Sequence, residues 1–419
     1  MRPVCSECGV SAAPEALFCS ACGGLLEFRL DGSAVDVRAL RLALKERRSS
    51  NNPLDTSGVW RYRELLPPLA PESVVTLREN VLPVYRAQTG AAYADASALT
   101  YLHLGTNPTG SFKDAGMTVA VSHARAQGAR VAICASTGNT AASMAAYAAR
   151  AGMTAIVLIP KGGVSEAKMA QTLDYGATVV AIDGDFDRAL EIVRSLDPQR
   201  VAIVNSVNPY RIEGQKCAAF ALLEARYWNA PAWIVIPGGN LGNTSAFGKG
   251  FREAHALGLI DRIPRLAVVQ AEGAAPFANL FRDGGELVPV KAETAATAIR
   301  IGAPASWRKA LGEVKASGGV VLSVSDDEIA DARAVVGRDG IGCEPASAAS
   351  LAGLRKLREA GTIARDEDVV LVLTGHMLKD GAYAAKYHAS KAPFSNAIAS
   401  VVDETALRAL IDRAAVVYA

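Results

Sequence analysis

The sequence lacks an excess of charge of either sign, and it lacks long hydrophobic runs. Its 44 Lys and Arg residues almost balance its 42 Asp and Glu residues, which leaves a formal net charge of +2 over 419 residues. This balance, without a long basic run, excludes the electrostatic footprint typical of nucleic-acid-binding proteins. No apolar stretch approaches the roughly 20 residues that span a bilayer, and residues 1–10 lack the pattern of a secretory signal. We therefore expect a cytoplasmic protein with neither nucleic-acid nor membrane partners.

Half of the residues are hydrophobic, and many of them occur in short aliphatic runs separated by stretches of helical character. The runs lie at 131–135, 155–160, 179–183, 201–205, 232–237, 265–270 and 368–374. The regular spacing of the first four leaves room for one helix between successive runs, which is typical of parallel strands joined by right-handed crossovers. The pattern predicts an α/β fold with two open sheets.

Cysteine is concentrated at the start of the chain, where four of the seven cysteines occur. Cys5 and Cys8 form one Cys-x-x-Cys pair, and Cys19 and Cys22 form another. Two such pairs can present four thiolates to one zinc ion in a tetrahedron, with no coordination position left open for catalysis. A disulfide pair or idle thiols are the alternative, but cytosolic disulfides are rare. We therefore predict a structural zinc site at these four cysteines.

Two of the aliphatic runs continue into loops of small and polar residues that each open a predicted helix, at 136–140 and at 238–243. Free backbone amides and the helix dipole favour a bound anion at such a helix start, and ligands bind beyond the carboxyl ends of parallel strands. Neither loop matches the dinucleotide fingerprint or the Walker loop. Each is therefore a candidate anion site, with an ordinary strand-to-helix turn as the alternative.

A lysine stands in a third loop of small and polar residues, at 107–114. In a protein with two candidate anion loops, Lys113 suggests a Schiff base with an aldehyde cofactor that carries its own phosphate. The alternative is a solvated lysine beside Asp114, which is the usual arrangement of such a pair. Lys113 is therefore the candidate catalytic residue.

The segments around these residues resemble those of a known family. They are NPTGSFKDAG at 107–116, ASTGNTAAS at 135–143, NSVNPYRIEGQK at 205–216, IPGGNLGNTSAF at 236–247, CEPASAA at 343–349 and TGHMLKD at 374–380, together with 58–67 and 296–307. In them the chain resembles the tryptophan synthase β-like, fold type II pyridoxal-phosphate enzymes, and within that family the threonine synthases of the short type. Some members also carry a zinc-ribbon-like N-terminus.

The resemblance implies two open, mostly parallel sheet subdomains with the cofactor between them, and a homodimer. It divides the chain into a zinc-ribbon-like module at 1–28, a connecting helical region at 29–76, a catalytic core at 77–395 and a C-terminal helical segment at 396–419. Within the core, the smaller subdomain is expected at roughly 115–220. The larger subdomain is expected at 77–114 together with 221–395.

The resemblance also implies a role for individual residues. Lys113 would bind pyridoxal 5'-phosphate and shuttle protons. The other implied cofactor contacts are Asn139 to the phenolic oxygen, Gly239, Asn240, Leu241, Gly242 and Asn243 to the phosphate, and Thr374 to the pyridine nitrogen. The implied substrate contacts are Ser136, Thr137 and Thr140 to the carboxylate, and Asn205, Ser206 and Arg211 to a phosphate.

The reaction that this resemblance implies is the conversion of O-phospho-L-homoserine and water to L-threonine and phosphate. A first alternative is a β- or γ-replacement enzyme acting on another phosphorylated amino acid such as phosphoserine. A second alternative is a non-catalytic family member that acts as an interaction protein through its zinc module.

The chain departs from the family pattern at a few positions. Many members carry Gly-Glu-Gly-x-Thr-Pro-Leu where residues 78–84 read RENVLPV. Ala115 stands where an arginine is common, and Met377 stands where a glycine is usual. These changes leave the implied cofactor contacts intact, so we expect them to affect substrate choice and rate more than cofactor binding.

Overall fold

The computed structural model describes residues 1–161, 166–184, 186–197, 201–390, 392–396 and 404–416. The chain divides into two compact units, Met1–Asp380 and Gly381–Ala419. Every strand that the structure describes belongs to the first unit. Within the described ranges, no helix has the length and apolar character needed to cross a membrane.

The first unit contains twelve strands and thirteen α-helices within the described residues. The strands are β1 (Pro3–Cys5), β2 (Leu26–Phe28), β3 (Val84–Arg86), β4 (Ala98–His103), β5 (Val131–Ala135), β6 (Thr154–Pro160), β7 (Thr178–Ile182), β8 (Ala202–Ile203), β9 (Trp233–Pro237), β10 (Arg265–Ala271), β11 (Val320–Val324) and β12 (Asp368–Leu373). The helices are α1 (Val37–Arg47), α2 (Pro53–Thr56), α3 (Thr89–Tyr93), α4 (Lys113–Ala126), α5 (Asn139–Ala151), α6 (Glu166–Asp174), α7 (Phe186–Ser195), α8 (Pro209–Ala225), α9 (Gly242–Ala256), α10 (Pro276–Asp283), α11 (Trp307–Ala316), α12 (Asp326–Arg338) and α13 (Pro345–Glu359).

The second unit contains α14 (Gly381–His388) and α15 (Glu404–Val416). The C-terminal helical segment was expected at 396–419, and α15 lies inside that range. Residues 397–403 and 417–419 of the expected segment lie outside the described residues.

A four-stranded parallel sheet has the order β7-β6-β5-β8. Its strands are the first four aliphatic runs of the sequence, and α5, α6 and α7 connect them as the spacing predicted. The inner strand β5 is almost completely buried because its side chains are apolar on both faces. The predicted α/β arrangement is confirmed in this sheet.

A six-stranded sheet has the order β11-β10-β9-β12-β4-β3, and β3 alone runs antiparallel to its neighbour. Three of its strands, β9, β10 and β12, were predicted, whereas β3, β4 and β11 were not. The inner strand β12 lies between β9 and β4, so the loops that follow these three strands meet at one edge. That edge brings together the segments 104–112, 238–243 and 374–380.

Helices α8 and α9 pack against each other through a buried ion-pair network. The Nζ atom of Lys216 lies 2.6 Å from Glu213 and 2.7 Å from Glu253. Lys249 contacts the same two carboxylates. Two cations thus balance two anions, which limits the cost of removing four charged groups from water.

The N-terminal segment that contains the four clustered cysteines ends in β2, which packs against α8, α9 and α11. Lys249 on α9 donates to the carbonyl of Phe28, and Lys309 on α11 donates to the carbonyl of Leu26. The ring of Phe28 packs 4.7 Å from that of Tyr210 at the start of α8. The N-terminal segment is therefore anchored to α8, α9 and α11.

Candidate active site

The loop that ends at Lys113 is fixed to the segment that follows β12. The backbone N–H of Phe112 donates to the carbonyl of Thr374 at 3.0 Å, and that of His376 donates to the carbonyl of Gly110 at 2.9 Å. These two hydrogen bonds join segments that are far apart in the chain. They place Lys113, the first residue of α4, at the carboxyl edge of the six-stranded sheet.

The amine of Lys113 has an environment that favours its neutral form. Removal of water from the ammonium is the main cause that lowers its pKa to about 7, and the cation of Arg211 lowers it further. The carboxylate of Glu344 acts in the opposite direction. An amine with a pKa near neutrality can act as a nucleophile or a base at physiological pH.

Asp114 does not form the solvated Lys-Asp pair that was the alternative for this loop. Its carboxyl group is fully buried and accepts hydrogen bonds from the N–H and hydroxyl of Thr109 at 2.7 and 2.6 Å and from Ser143 at 2.6 Å. Burial raises the pKa of Asp114 to about 6, although these hydrogen bonds oppose the shift. Asp114 therefore orients the lysine loop.

Glu344 joins two of the residues that the resemblance associates with the cofactor ring. One carboxylate oxygen accepts from the amide of Asn139 at 2.9 Å, and the other accepts from the hydroxyl of Thr374 at 3.3 Å. Burial raises the pKa of Glu344, while Asn139 and Lys113 lower it. Sequence reasoning assigned no role to Glu344, although it lies in the quoted segment CEPASAA.

Thr374 is also held by the hydroxyl of Ser347. The Oγ atoms of Ser347 and Thr374 lie 3.0 Å apart, and Ser347 accepts the backbone N–H groups of Thr374 and Gly375 at 2.8 and 3.0 Å. The end of β12 is thereby fixed to the first turn of α13.

The loop 238–243 forms the start of α9, with Leu241 in the left-handed region at φ 64°. A Cβ atom on Gly239 would lie 3.2 Å from the Cα of Ile299, so the backbone of this loop is closely covered on that side. Both polar atoms of the Asn243 side chain and the hydroxyl of Thr244 are buried without a hydrogen-bond partner among the described residues. Because buried polar groups normally have partners, these atoms fit a site for an anionic group at the helix start.

Asn240 has a different role in the same loop. Its amide nitrogen donates to Ser206, and its amide oxygen accepts the backbone N–H of Ala305 at 2.5 Å. The side chains of Asn240 and Ser206 therefore fix the loop to its neighbours. Because the Asn240 side chain is already hydrogen-bonded on both its polar atoms, it is the backbone amides of the loop that are available to a ligand.

The loop 136–140 is open by comparison. Ser136, Thr137 and Thr140 are partly exposed, and α5 begins at Asn139 without a side-chain cap. The hydroxyl of Ser136 accepts the N–H of Gly138 at 3.4 Å. The N-terminus of α5 is consequently accessible to an anion.

Asn205 and Arg211, which were expected to share one ligand, make different contacts. The Asn205 amide donates to the carbonyl of Ala135 at 3.0 Å and accepts its N–H at 3.3 Å, so it extends the pairing of β8 with β5. Arg211 is 2% exposed, and it donates to the carbonyl of Val204 at 3.3 Å. Its Nε atom has no partner among the described residues, and burial lowers the pKa of Arg211 to about 10.

Segment 78–84, in which the chain differs from the family pattern, has a backbone conformation that glycine would adopt more easily. Arg78 and Asn80 have φ angles of 60° and 63°, in the left-handed region. Between them, Glu79 is fully buried and accepts hydrogen bonds from Tyr147 at 2.7 Å and from Thr76 at 3.0 Å. The backbone N–H of Asn80 donates to Asn107 at 2.6 Å, which connects this segment to the lysine loop.

The four N-terminal cysteines converge on one point. All four Sγ atoms lie within 4.8 Å of one another, and the separations Cys5–Cys22, Cys8–Cys19 and Cys8–Cys22 are 3.4, 3.5 and 3.5 Å. A tetrahedron with metal–sulfur distances of about 2.3 Å has edges of about 3.8 Å. Backbone N–H groups of Glu7 and Cys8 point at the sulfur of Cys5. This donor set fits a tetrahedral metal site.

Comparison with known proteins places this geometry in a family. A family model described as "Pyridoxal-phosphate dependent enzyme" matches residues 75–375. Threonine synthase from Methanocaldococcus jannaschii is 43% identical over 90% of this chain and 92% of its own length. Threonine synthase from Mycobacterium leprae is 46% identical over 83% of this chain and 95% of its own length.

A solved structure supports the fold over almost the whole length. The crystal structure of threonine synthase from Escherichia coli covers 99% of this chain and 100% of its own, with a TM-score of 0.66 and 19% identity. At this identity the match supports the fold type II arrangement, while the family rests on the sequence relatives. The chain belongs to the pyridoxal-phosphate-dependent enzymes and, within them, to the threonine synthase family.

Proposed function

We propose that this protein uses pyridoxal 5'-phosphate to convert O-phospho-L-homoserine and water to L-threonine and phosphate. The observation that carries the proposal is the amine of Lys113, whose pKa lies near 7 beside a buried guanidinium that no carboxylate neutralises within the described residues. The threonine synthases that share 43–46% of their residues with this chain over most of its length support the choice of reaction.

The chain offers a donor set suited to the cofactor. We assign covalent attachment to Lys113, and we assign the phosphate to the backbone of Gly239, Asn240, Leu241, Gly242 and Asn243 at the start of α9. Unpartnered polar atoms of Asn243 and Thr244 support this assignment. Asn139 and Thr374 would contact the ring, held by Glu344. When bound, this cofactor supplies an electron sink that stabilises negative charge on the carbon beside the substrate amine.

The remaining groups bind the substrate and move its protons. In its neutral form the Lys113 amine would take the proton from the α carbon and carry protons between substrate carbons. Ser136, Thr137 and Thr140 would bind the carboxylate at the start of α5. Arg211 would bind the substrate phosphate with two parallel N–H donors and stabilise it as it leaves from the γ carbon.

Asn205 and Ser206 enter this proposal with modified roles. Both were expected to contact the substrate phosphate directly. Because the Asn205 amide is bonded to Ala135 and Ser206 accepts from Asn240, we propose that they shape the phosphate pocket around Arg211. The hydroxyl of Ser206 keeps its capacity to donate a hydrogen bond to a ligand.

We also propose that Cys5, Cys8, Cys19 and Cys22 bind one structural zinc ion. Four thiolates favour zinc and leave no position open for a substrate. The cytoplasmic location and the homodimer expected from the sequence stay predictions. Sedimentation of the purified protein would test the homodimer.

The first alternative, a phosphoserine-directed enzyme, uses the same groups. A guanidinium recognises phosphate on either substrate, and one methylene in a pocket changes binding by about 1–3 kcal/mol. The second alternative, a non-catalytic interaction protein, does not account for an amine with a lowered pKa at the carboxyl edge of the sheet. We retain the phosphohomoserine reaction because the relatives that are 43% and 46% identical to this chain are threonine synthases.

The test begins with the purified protein and its visible absorbance, which reports bound cofactor. Borohydride reduction followed by peptide mapping should place the cofactor on Lys113. Phosphate release is then compared with phosphohomoserine and phosphoserine, and threonine is identified as product. Lys113→Ala should abolish turnover, whereas Lys291→Met, at an exposed lysine, should leave it unchanged. Preference for phosphoserine, or unchanged turnover in Lys113→Ala, would refute the proposal.

A further inference from the structure

A chain of hydrogen bonds runs from α6, a helix that connects two strands of the four-stranded sheet, to the loop that ends at Lys113. Gln171 lies on α6, between β6 and β7 of that sheet. Its amide nitrogen donates to the carbonyl of Thr109 at 3.2 Å, and its amide oxygen accepts from the Nζ atom of Lys379. Thr109 follows β4 and Lys379 follows β12, so one side chain joins two loops of the six-stranded sheet.

The contact continues from Thr109 to the first turn of α4. Both the N–H and the hydroxyl of Thr109 donate to the buried carboxyl group of Asp114, which adjoins Lys113. Ser143 on α5 donates to the same carboxyl group at 2.6 Å. The orientation of the Lys113 backbone therefore depends on Thr109, whose carbonyl accepts a hydrogen bond from Gln171 on α6.

The stem of Lys379 lies directly on the lysine loop. Gly110 has a φ angle of +82°, and a Cβ atom on it would stand 2.8 Å from the Cε of Lys379. Burial lowers the pKa of the Lys379 ammonium, while the carboxylates of Asp114 and Glu344 raise it. The ammonium is bonded to a neutral amide, and its charge acts on these carboxylates through space.

We propose that Gln171 and Lys379 are positioning residues that fix the Lys113 loop from both sheets and so set the direction of its amine. This inference rests on the proposed function, because the amine matters only if it holds the cofactor. Reaction rates are sensitive to such placement, since a shift of about 1 Å in a reacting group can reduce a rate about 100-fold.

The experiment uses the full-length holoenzyme and three variants with one control. Gln171→Leu and Lys379→Met each break the contact, and the combined exchange of Gln171→Lys with Lys379→Gln rebuilds it. In the exchange, an ammonium at position 171 can donate to both the Thr109 carbonyl and the new amide oxygen. Lys291→Met removes an exposed lysine and serves as the control.

Each single variant should bind the cofactor and show a kcat about 10- to 100-fold lower, with KM changed less than about threefold. The visible circular dichroism of the bound cofactor should change, and its release into an excess of scavenger should be faster. The exchange should restore kcat and the circular dichroism to near those of the unmodified protein.

The inference is wrong if kcat and circular dichroism stay unchanged in both single variants. It is also wrong if KM alone rises, because that would indicate a substrate contact, or if the exchange restores thermal stability without restoring kcat. If Gln171→Leu does not fold, the inference is tested by kcat and circular dichroism of Lys379→Met and of the combined exchange. An unmodified protein without cofactor would instead refute the proposed function, which is seen before any variant is measured.

Discussion

The electrostatic environment of Lys113 leads to a prediction with two opposite signs. In the apoenzyme, covalent attachment of pyridoxal phosphate requires the neutral amine, so its rate should rise with pH through a midpoint near the pKa of about 7. Arg211→Met removes a cation that disfavours the ammonium, so the midpoint should move up. Glu344→Gln removes an anion that favours the ammonium, so the midpoint should move down.

The size of each shift follows from Coulomb's law. One pKa unit corresponds to about 1.4 kcal/mol, which a unit charge supplies at any separation up to about 12 Å if the effective dielectric constant is about 20, so we expect shifts of about one pKa unit. The shift for Glu344→Gln should be the smaller of the two, because the cation of Arg211 affects the pKa of Lys113 more strongly than the carboxylate of Glu344 does. The double variant should lie close to the unmodified protein.

The assay is stopped-flow absorbance at the cofactor band, from about pH 5 to about pH 9, on apoenzyme freed of cofactor. Lys291→Met controls for the loss of a distant cation and should show no shift. Midpoints that move in the same direction in both variants, or that do not move at all, would refute the assignment of these two charges to the environment of Lys113.

Four further changes should alter the stability of the protein. Arg78→Gly should raise the free energy of unfolding by about 0.5–1 kcal/mol because it relieves a left-handed backbone conformation. Asn80→Gly should lower the free energy of unfolding by about 1 kcal/mol because the side-chain hydrogen bond to Gly58 is lost. Chemical unfolding measures both changes, and two changes of the same sign would contradict the reasoning. Asn205→Ala should lower the free energy of unfolding by about 2 kcal/mol, because the buried N–H and carbonyl of Ala135 lose their hydrogen bonds to the Asn205 amide. A changed KM with an unchanged free energy of unfolding would contradict this role. Chelation should release one zinc ion per chain and lower the melting temperature, because structural zinc contributes on the order of 10 kcal/mol to folding. A protein that contains no zinc and has the same melting temperature with and without chelator would contradict the proposed zinc site.

The parallel strands could be predicted because they are buried on both faces and therefore appear as continuous aliphatic runs. β4 has the sequence ALTYLH and β11 has VVLSV, in which polar residues interrupt the run. β3 is a three-residue edge strand. Such strands depend on their neighbours for stability, so the local sequence contains little sign of them.

The candidate site divides in a similar way. Lys113 stood out because an isolated lysine among small residues is unusual in a loop. Glu344 and Gln171 could not be found by such reasoning, because their partners lie far away in the chain and become neighbours only when the two sheets assemble. The loop amides at 238–243 were identified by the general property of helix starts, whereas the use of the Asn240 side chain to fix its own loop follows from tertiary contacts alone.

The buried network between α8 and α9 has a consequence for selectivity. Arg211 belongs to α8, and the assigned cradle for the cofactor phosphate opens α9. Because an ion pair between Glu213 and Lys249 joins these two helices, we expect the spacing between Arg211 and the assigned phosphate cradle to change little when a substrate binds. The protein would then discriminate among phosphorylated amino acids by the length of the chain between the amine and the phosphate.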